Sequence, residues 1–191
     1  MTANTTLQPT SVAYEVSACG AWLTRRSRLS VEPLCVMPNS LRPNAKVLFR
    51  VIDEEGGTDV ETLWATHLGA DDYKLDNSPF YAYGVSWEDV VSAPFNPEEG
   101  FPTFDRVLSK SGNRTVRVIF ETPIETGNES DRVLQGLVAL GCSYEGANRK
   151  YVSVNVPSHV ELNVVRIYLI EQKATWEHAD PTYAALFPED A

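Results

Sequence analysis

Alternating apolar and polar positions predict a series of short β-strands over residues 46–122. The segment KVLFRVID, which begins at Lys46, alternates with the period of two that is typical of a strand. Further strand candidates are VETLWATHLG, DDYKLDN and the end of SPFYAYGVSWEDVVSA. The segments FPTFDRVLSK and NRTVRVIFET are joined by Ser-Gly-Asn at 111–113. A loop of this length with a central glycine predicts a β-hairpin.

Farther along the chain the apolar period changes from two to about 3.6, which predicts helices. Asn128 has a side chain suited to cap a helix, and a stripe of Val and Leu between 133 and 140 would form its buried face. Gly141 stands where a helix would end in the left-handed conformation. After a β segment that closes at Pro157, residues Ser158 to Glu161 have the form of a capping box and predict a second helix.

These elements predict an α+β protein, in which a small β-barrel-like run of strands precedes a ferredoxin-like β-α-β-α sheet-and-helix unit. We expect four parts in the chain. Residues 1–45 form an N-terminal extension with short strands, and 46–113 form a β-rich, barrel-like half. Residues 114–176 form an α+β half, and 177–191 form an irregular C-terminal tail.

The chain is strongly acidic, which limits the partners that suit it. It has 191 residues, of which 43% are hydrophobic, and a formal net charge of −10. A negatively charged body repels nucleic-acid phosphates and anionic membranes. We therefore expect a basic protein or peptide as the partner, and the charge argues against a membrane or a nucleic acid. Acidity that serves solubility alone is the alternative, and the oligomeric state is left open.

We expect a cytoplasmic protein. The first residues, MTANTTLQPTS, lack the basic and apolar regions of a signal peptide, and no stretch is apolar over the roughly 18 residues that span a bilayer. The three cysteines, Cys19, Cys35 and Cys142, are far apart and form no C-x-x-C pair. This usage is typical of a reducing compartment, with a disulfide between the first two as the alternative.

No arrangement of reactive residues matches a catalytic template. The sequence has no phosphate-binding glycine loop and no G-x-S-x-G. Its histidines, His67, His159 and His178, lack the spacing of a zinc site. We expect no catalytic residue, no bound metal and no cofactor, and hence a protein that is not an enzyme. A site assembled from residues distant in sequence is the alternative left open.

The most unusual stretch is Phe80–Trp87, which has four aromatic residues in eight positions. Tyrosine and tryptophan bury a large area and keep a polar group, and nearby carboxylates would draw a cation towards the rings. The predicted binding residues are Trp64, Asp76, Phe80, Tyr81, Tyr83, Trp87, Glu88 and Asp89. The alternative is that the rings fill the junction between the two halves as core residues.

A family resemblance is carried by the segment LWATHLGADDYKLDNSPFYAYGVSWEDVVSA. It resembles the bacterial domain-of-unknown-function family 4265 in Leu63-Trp64, in YKLDNSPF at 73–80, in the Tyr-Gly-Val-Ser run at 83–86 and in Val90-Val91. The later SGNRTVRVIF, LGCSYE and the Val-Pro pair at 156–157 are similar too. The resemblance covers about residues 46–176, and it implies no activity, cofactor or site residue.

The function that these observations predict is that of a non-catalytic acidic binding protein. One form of it is an immunity- or antitoxin-like protein that neutralises a basic protein partner. A first alternative is a small-molecule-binding protein or enzyme with a pocket between the two halves, lined by Trp64, Phe80, Tyr83 and Trp87. A second alternative is an accessory factor for RNA or the ribosome.

Overall fold

The structure, a computed structural model, describes residues 43–52 and 56–189. All but the last three residues of the predicted N-terminal extension, 1–45, therefore lie outside the described residues. Strand accounts for 41% and helix for 17% of these described residues, so this part of the protein is mostly β-sheet. No described helix is both long enough and apolar enough to cross a lipid bilayer.

Seven strands are described between residues 45 and 109, and they make one open sheet and one hairpin. They are β1 (Ala45–Ile52), β2 (Thr58–Gly69), β3 (Asp72–Leu75), β4 (Val90–Ser92), β5 (Phe95–Asn96), β6 (Phe101–Pro102) and β7 (Arg106–Ser109). The open sheet has the order β1-β2-β3-β4-β7, and all its neighbours are antiparallel. Strand β5 pairs with β6 in the separate hairpin.

The predicted barrel is wrong, because β1 and β7 are the two edges of an open sheet and the described strands close no barrel. The outer edge of β1 is occupied by the chain that follows the β5–β6 hairpin. There the N–H of Phe104 donates to the carbonyl of Leu48 at 2.8 Å, and Thr103 forms a bridge with Leu48. This contact takes up the edge of β1 that a closed barrel would need for β7.

The second half of the chain forms a four-stranded sheet with helices. Its elements are β8 (Arg114–Ile119), α1 (Glu129–Ala139), β9 (Ser143–Gly146), β10 (Tyr151–Val156), α2 (Leu162–Glu171), β11 (Thr175–Asp180) and α3 (Tyr183–Leu186). The sheet order is β11-β8-β10-β9, again with antiparallel neighbours.

The predicted ferredoxin-like β-α-β-α unit is wrong as well. Two strands separate α1 from α2, because Asn148 closes a turn between β9 and β10 by accepting from the N–H groups of Lys150 and Tyr151. A further strand, β11, follows α2. Strand β11 and helix α3 also occupy much of 177–191, which the sequence predicts to be an irregular tail.

The predicted hairpin around 111–113 is not formed, because β7 and β8 lie in different sheets. The Ser111 N–H donates to the Asp89 carboxylate at 2.8 Å, and its hydroxyl donates to the Trp87 carbonyl at 2.8 Å. The Asn113 amide donates to the same carbonyl at 3.0 Å. These bonds hold the loop against the β3–β4 connection, so the chain passes from one sheet to the other.

Helix α1 ends where the sequence predicts. Asn128 caps it, since its side-chain oxygen accepts from the Asp131 N–H at 2.9 Å, and Gly141 follows it with a φ of 97°. Helix α2 begins later than predicted, at Leu162, and its N-cap residue, Glu161, makes no side-chain capping bond.

The four-stranded sheet has one apolar face and one polar face. The apolar face packs on α1 and α2, and its buried residues include Val116, Val118, Val152, Val154, Leu134, Leu137, Val165 and Leu169. The polar face carries Thr115, Arg117, Ser153 and Asn155, which are at most 4% exposed. These polar groups are buried because the β3–β4 connection, residues 76–89, lies across them. This connection carries most of the predicted binding residues.

Candidate functional site

Glu61 on β2 holds the backbone of the aromatic segment, which we define as Phe80–Trp87. Its carboxylate accepts the N–H groups of Phe80, Tyr81 and Ala82 at 2.7, 2.9 and 2.8 Å, and the residue is only 8% exposed. A buried carboxylate is tolerated where donors satisfy it, and charge-assisted bonds of this kind are among the strongest. Three consecutive backbone positions are therefore fixed by one side chain.

The polar face of the four-stranded sheet holds the same segment from the other side. The hydroxyl groups of Tyr151 and Ser153 donate to the carbonyls of Phe80 and Pro79, the latter bond being 2.7 Å long. The guanidinium of Arg117 donates to the carbonyl of Ala82. The sheet thus donates hydrogen bonds to the carbonyls of this segment, whereas Glu61 accepts hydrogen bonds from its N–H groups.

An ion cluster with two buried carboxylates, which we call the Lys110 cluster, fixes the second half of the segment. The Lys110 ammonium donates to the Gly84 carbonyl at 2.7 Å, to the Asp89 carboxylate at 2.9 Å and to the Asp180 carboxylate at 2.7 Å. Asp89 is fully buried, and Asp180 is 7% exposed. The lysine has three N–H donors, so all three are used. The cluster joins the two sheets.

Ser86 belongs to this cluster and is not placed as a nucleophile. Its hydroxyl is fully buried, donates to the Asp180 carboxylate at 2.6 Å and touches the Thr115 hydroxyl at 2.9 Å. A nucleophilic serine needs an accessible oxygen and a base to take its proton. The described neighbours instead make Ser86 part of the packing between the halves.

The two tyrosines of the aromatic segment reach the surface. Tyr81 is 51% exposed and Tyr83 is 55% exposed. The Tyr83 hydroxyl donates to the Glu177 carboxylate at 2.9 Å, and the Arg117 guanidinium lies 4.3 Å from the ring centre. Burial, together with the Glu177 carboxylate, raises the pKa of Tyr83. Its position is thereby fixed although half of it is in solvent.

The other predicted binding residues are spread over different environments. Trp64 is 47% exposed, and the Lys46 ammonium lies 4.5 Å from its ring centre. Phe80 and Trp87 are half-buried, and Glu88 is exposed. Asp76 is half-buried, and burial raises its pKa, an effect that Lys74 partly offsets.

Asp89 is held inside the Lys110 cluster, so it is not available to a partner. Only Tyr81, Tyr83, Trp64 and Glu88 of the eight predicted binding residues are exposed.

The structure also has a cleft that the sequence does not predict, which we call the Arg166 cleft. It has a volume of about 630 Å³ and lies where β11, α2 and α3 meet the aromatic segment. Its lining residues are Tyr83, Arg166, Trp176, Glu177, His178, Thr182, Tyr183 and Ala184. Only Tyr83 among them was a predicted site residue. Apart from that tyrosine, the cleft is assembled from residues that follow no known local motif, so the sequence offered no direct signal.

His178 has an unusual position in this cleft. It is 7% exposed, and its ring meets that of Trp176 edge-on, with 4.8 Å between centres. Burial, reinforced by the positive charge of Arg166, lowers the pKa of His178. Among the described residues, no group of three or more His, Cys, Asp or Glu side chains is placed to hold a metal ion.

Comparisons with known proteins identify the family. No curated protein matches the chain. A crystal structure of a hypothetical protein from Neisseria gonorrhoeae is similar, with a TM-score of 0.61 and 17% identity over 71% of this chain and 93% of that one. At this identity the likeness shows the fold alone. The family described as "Domain of unknown function (DUF4265)" matches residues 61–179, which confirms the resemblance predicted from the sequence. The protein therefore belongs to the DUF4265 family.

Proposed function

We propose that the protein is a non-catalytic binding protein that recognises a basic protein or peptide through the exposed tyrosines of the aromatic segment. The observation that supports this most strongly is the contrast between a fixed backbone and exposed rings. Glu61 binds three consecutive N–H groups at Phe80–Ala82, whereas Tyr81 and Tyr83 are each about half exposed.

This contrast suits recognition because binding costs free energy when loops and side chains become ordered. A backbone that is already held by buried hydrogen bonds avoids much of that cost. Tyrosine then supplies a large contact area together with a hydroxyl group, and it is frequent among the residues that dominate binding energies. The segment is thus prepared to bind before a partner arrives.

The charge of the protein favours a basic partner. Its formal net charge is −10, and the exposed Glu88 borders the aromatic segment. Complementary charge mainly accelerates association and selects between partners. An immunity- or antitoxin-like protein, which would cover the active surface of a basic effector, is one concrete form of this function.

Affinity capture with two matched variants tests the proposal. The protein is immobilised at low salt and exposed to a lysate of its native cells, as wild type, as Tyr81→Ser and as Phe95→Ser. Phe95 lies on the β5–β6 hairpin and is 62% exposed, so its replacement removes a comparable exposed ring elsewhere.

We expect one dominant basic protein to be retained by the wild type and by Phe95→Ser, to be lost with Tyr81→Ser, and to be released by salt. Retention of the same protein by all three, or of none at low salt, contradicts the proposal.

A further inference from the structure

The Arg166 cleft contains an arginine whose bonding differs from that of the other described arginines. Each of those donates to a carboxylate or a backbone carbonyl; they are Arg50, Arg106, Arg114, Arg117, Arg132 and Arg149. Arg166 instead makes one bond of 3.3 Å, to the Asn163 side chain. Its guanidinium carbon lies 5.1 Å from the centre of the Phe187 ring. Its buried Nε has no acceptor among the described residues, a feature that it shares with Arg114 and Arg117.

This lack of a carboxylate partner is informative in so acidic a chain. The protein has 26 acidic residues against 16 basic ones, and the described salt bridges include none to Arg166. A guanidinium presents several donors in a flat fork that fits a carboxylate or a phosphate. Arg166 therefore has unused capacity for an anion at the wall of a cleft.

His178 adds a second polar group to the same wall. The residue is more than nine-tenths buried, and its buried Nδ1 has no hydrogen-bond partner among the described residues. Since a neutral imidazole carries one N–H and one acceptor nitrogen, a proton on Nδ1 would have no acceptor. We assign the proton to Nε2, which makes that nitrogen a candidate donor to a ligand in the cleft that His178 lines.

Three of the other lining residues are aromatic, and the one carboxylate among the lining residues is already paired. Trp176, Tyr183 and Tyr83 line the cleft beside Thr182 and Ala184, and Tyr183 is 53% exposed. Glu177 is bound by the Arg117 guanidinium at 3.0 Å and by the Tyr83 hydroxyl at 2.9 Å. The positive charge of Arg166 thus faces the cleft without an internal counter-ion.

We infer that the Arg166 cleft binds a small aromatic carboxylate, with the carboxylate at Arg166 and His178 and the ring between the aromatic walls. The volume of about 630 Å³ falls in the range of small-molecule sites, which combine apolar walls with a few convergent polar groups. Tyr83 borders both this site and the surface proposed to recognise a basic partner. The two differ in that the cleft takes an anion and depends on Arg166 rather than on Tyr81.

Titration with three ring compounds of different charge tests the inference. Benzoate, benzamide and benzylamine are added to the full chain, and the resonances of the Trp176 indole N–H and the His178 ring are followed by NMR. We expect saturable shifts with benzoate, with a dissociation constant of about 1 mM or below. Benzamide should bind about tenfold or more weakly than benzoate, because it cannot form the charge-assisted bond. Benzylamine should not bind.

Two arginine variants show whether the site is the cleft. Arg166→Met should weaken benzoate binding by about tenfold or more. Arg132→Met should leave it unchanged, because Arg132 lies on α1, outside the cleft, and donates to the Gly127 carbonyl. Thermal melts show whether both variants are folded, and Arg166→Lys should bind with intermediate affinity because it keeps the charge without the fork. The inference is overturned by any of three results: no saturation up to the solubility of sodium benzoate, equal affinity for benzamide, or unchanged binding in Arg166→Met.

Discussion

Replacing Lys110 with methionine is the sharpest way to perturb the junction between the two sheets. The methionine keeps the length of the apolar stem and removes the ammonium. Three bonds are lost together, to the Gly84 carbonyl and to the carboxylates of Asp89 and Asp180. Both carboxylates are largely buried, at 0% and 9% side-chain exposure, so water compensates only in part for the lost cation.

The expected loss in the free energy of unfolding depends on which charges stay buried after the substitution. Removing one partner of a buried ion pair costs about 3–5 kcal/mol, mostly because the other charge is left uncompensated. The Lys110 side chain is 46% exposed, so part of this interaction is already screened by solvent. Asp89 also keeps the N–H groups of Ser86 and Ser111 as donors. We therefore expect Lys110→Met to lower the free energy of unfolding by about 2–3 kcal/mol.

Urea denaturation followed by circular dichroism measures this loss, and urea leaves ionic strength unchanged. Lys74→Met is the matched control, because Lys74 pairs with Glu88 at 3.6 Å and both side chains are exposed, at 38% and 52%. An exposed pair of this kind contributes about 0–1 kcal/mol. In an Asp180→Asn background, the Lys110→Met substitution should cost less, because one of the two buried charges is already absent. If Lys110→Met is no more harmful than Lys74→Met, the Lys110 cluster does not hold the sheets together.

Three further substitutions or reagents test other parts of the structure. Gly136→Ala should lower the thermal melting temperature, although alanine favours helices. The added Cβ would lie 1.9 Å from the Tyr168 hydroxyl oxygen. In a Tyr168→Ala background the loss should disappear. Glu145→Gln should stabilise the protein at neutral pH, since burial and nearby carboxylates raise the pKa of Glu145 and the amide oxygen still accepts from the Ser78 N–H. The wild type loses stability as the pH rises from the ordinary value of 4.5 through this raised pKa. The advantage of the variant should therefore grow over that interval and vanish below it in urea titrations. Cys142 should react with iodoacetamide far more slowly in the folded protein than in urea, because burial raises the pKa of its thiol to about 11; equal rates would contradict this.

Helix α1 and strand β1 could be predicted because residues close together in the sequence determine them. Helix α1 was placed correctly because Asn128 and Gly141 encode its two ends through their own side-chain and backbone chemistry. Strand β1 was found because Val47 and Phe49 fall two positions apart in a sequence of period two, although Leu48 between them is buried as well. In both cases the residues that decide the structure are neighbours in the chain.

The errors came from contacts between distant residues. The loop at 111–113 has the composition of a hairpin turn, but bonds to Trp87 and Asp89 commit its two flanking strands to different sheets. Strand β11 escaped prediction because its segment is short and interrupted by Pro181, which is typical of an irregular tail. Its Glu177 and Asp180 pair with Arg117 and Lys110, which are distant in the chain.

The candidate site shows the same division. The aromatic segment was recognisable from composition, but the exposure of its tyrosines depends on Glu61, which binds it from a strand 19 to 21 residues earlier. The Arg166 cleft could not be predicted, because the unpaired state of Arg166 and the burial of His178 are visible only when three elements come together.

Site-specific photo-crosslinking in native cells tests the central claim most directly. Tyr81 is replaced by a photoreactive benzoylphenylalanine, and Phe95, which is exposed on the β5–β6 hairpin, is replaced in a parallel strain. If the aromatic segment recognises a basic partner, position 81 will give one dominant crosslinked product with a basic protein, and position 95 will not. The absence of any product at position 81, or the same products from both positions, would contradict the account.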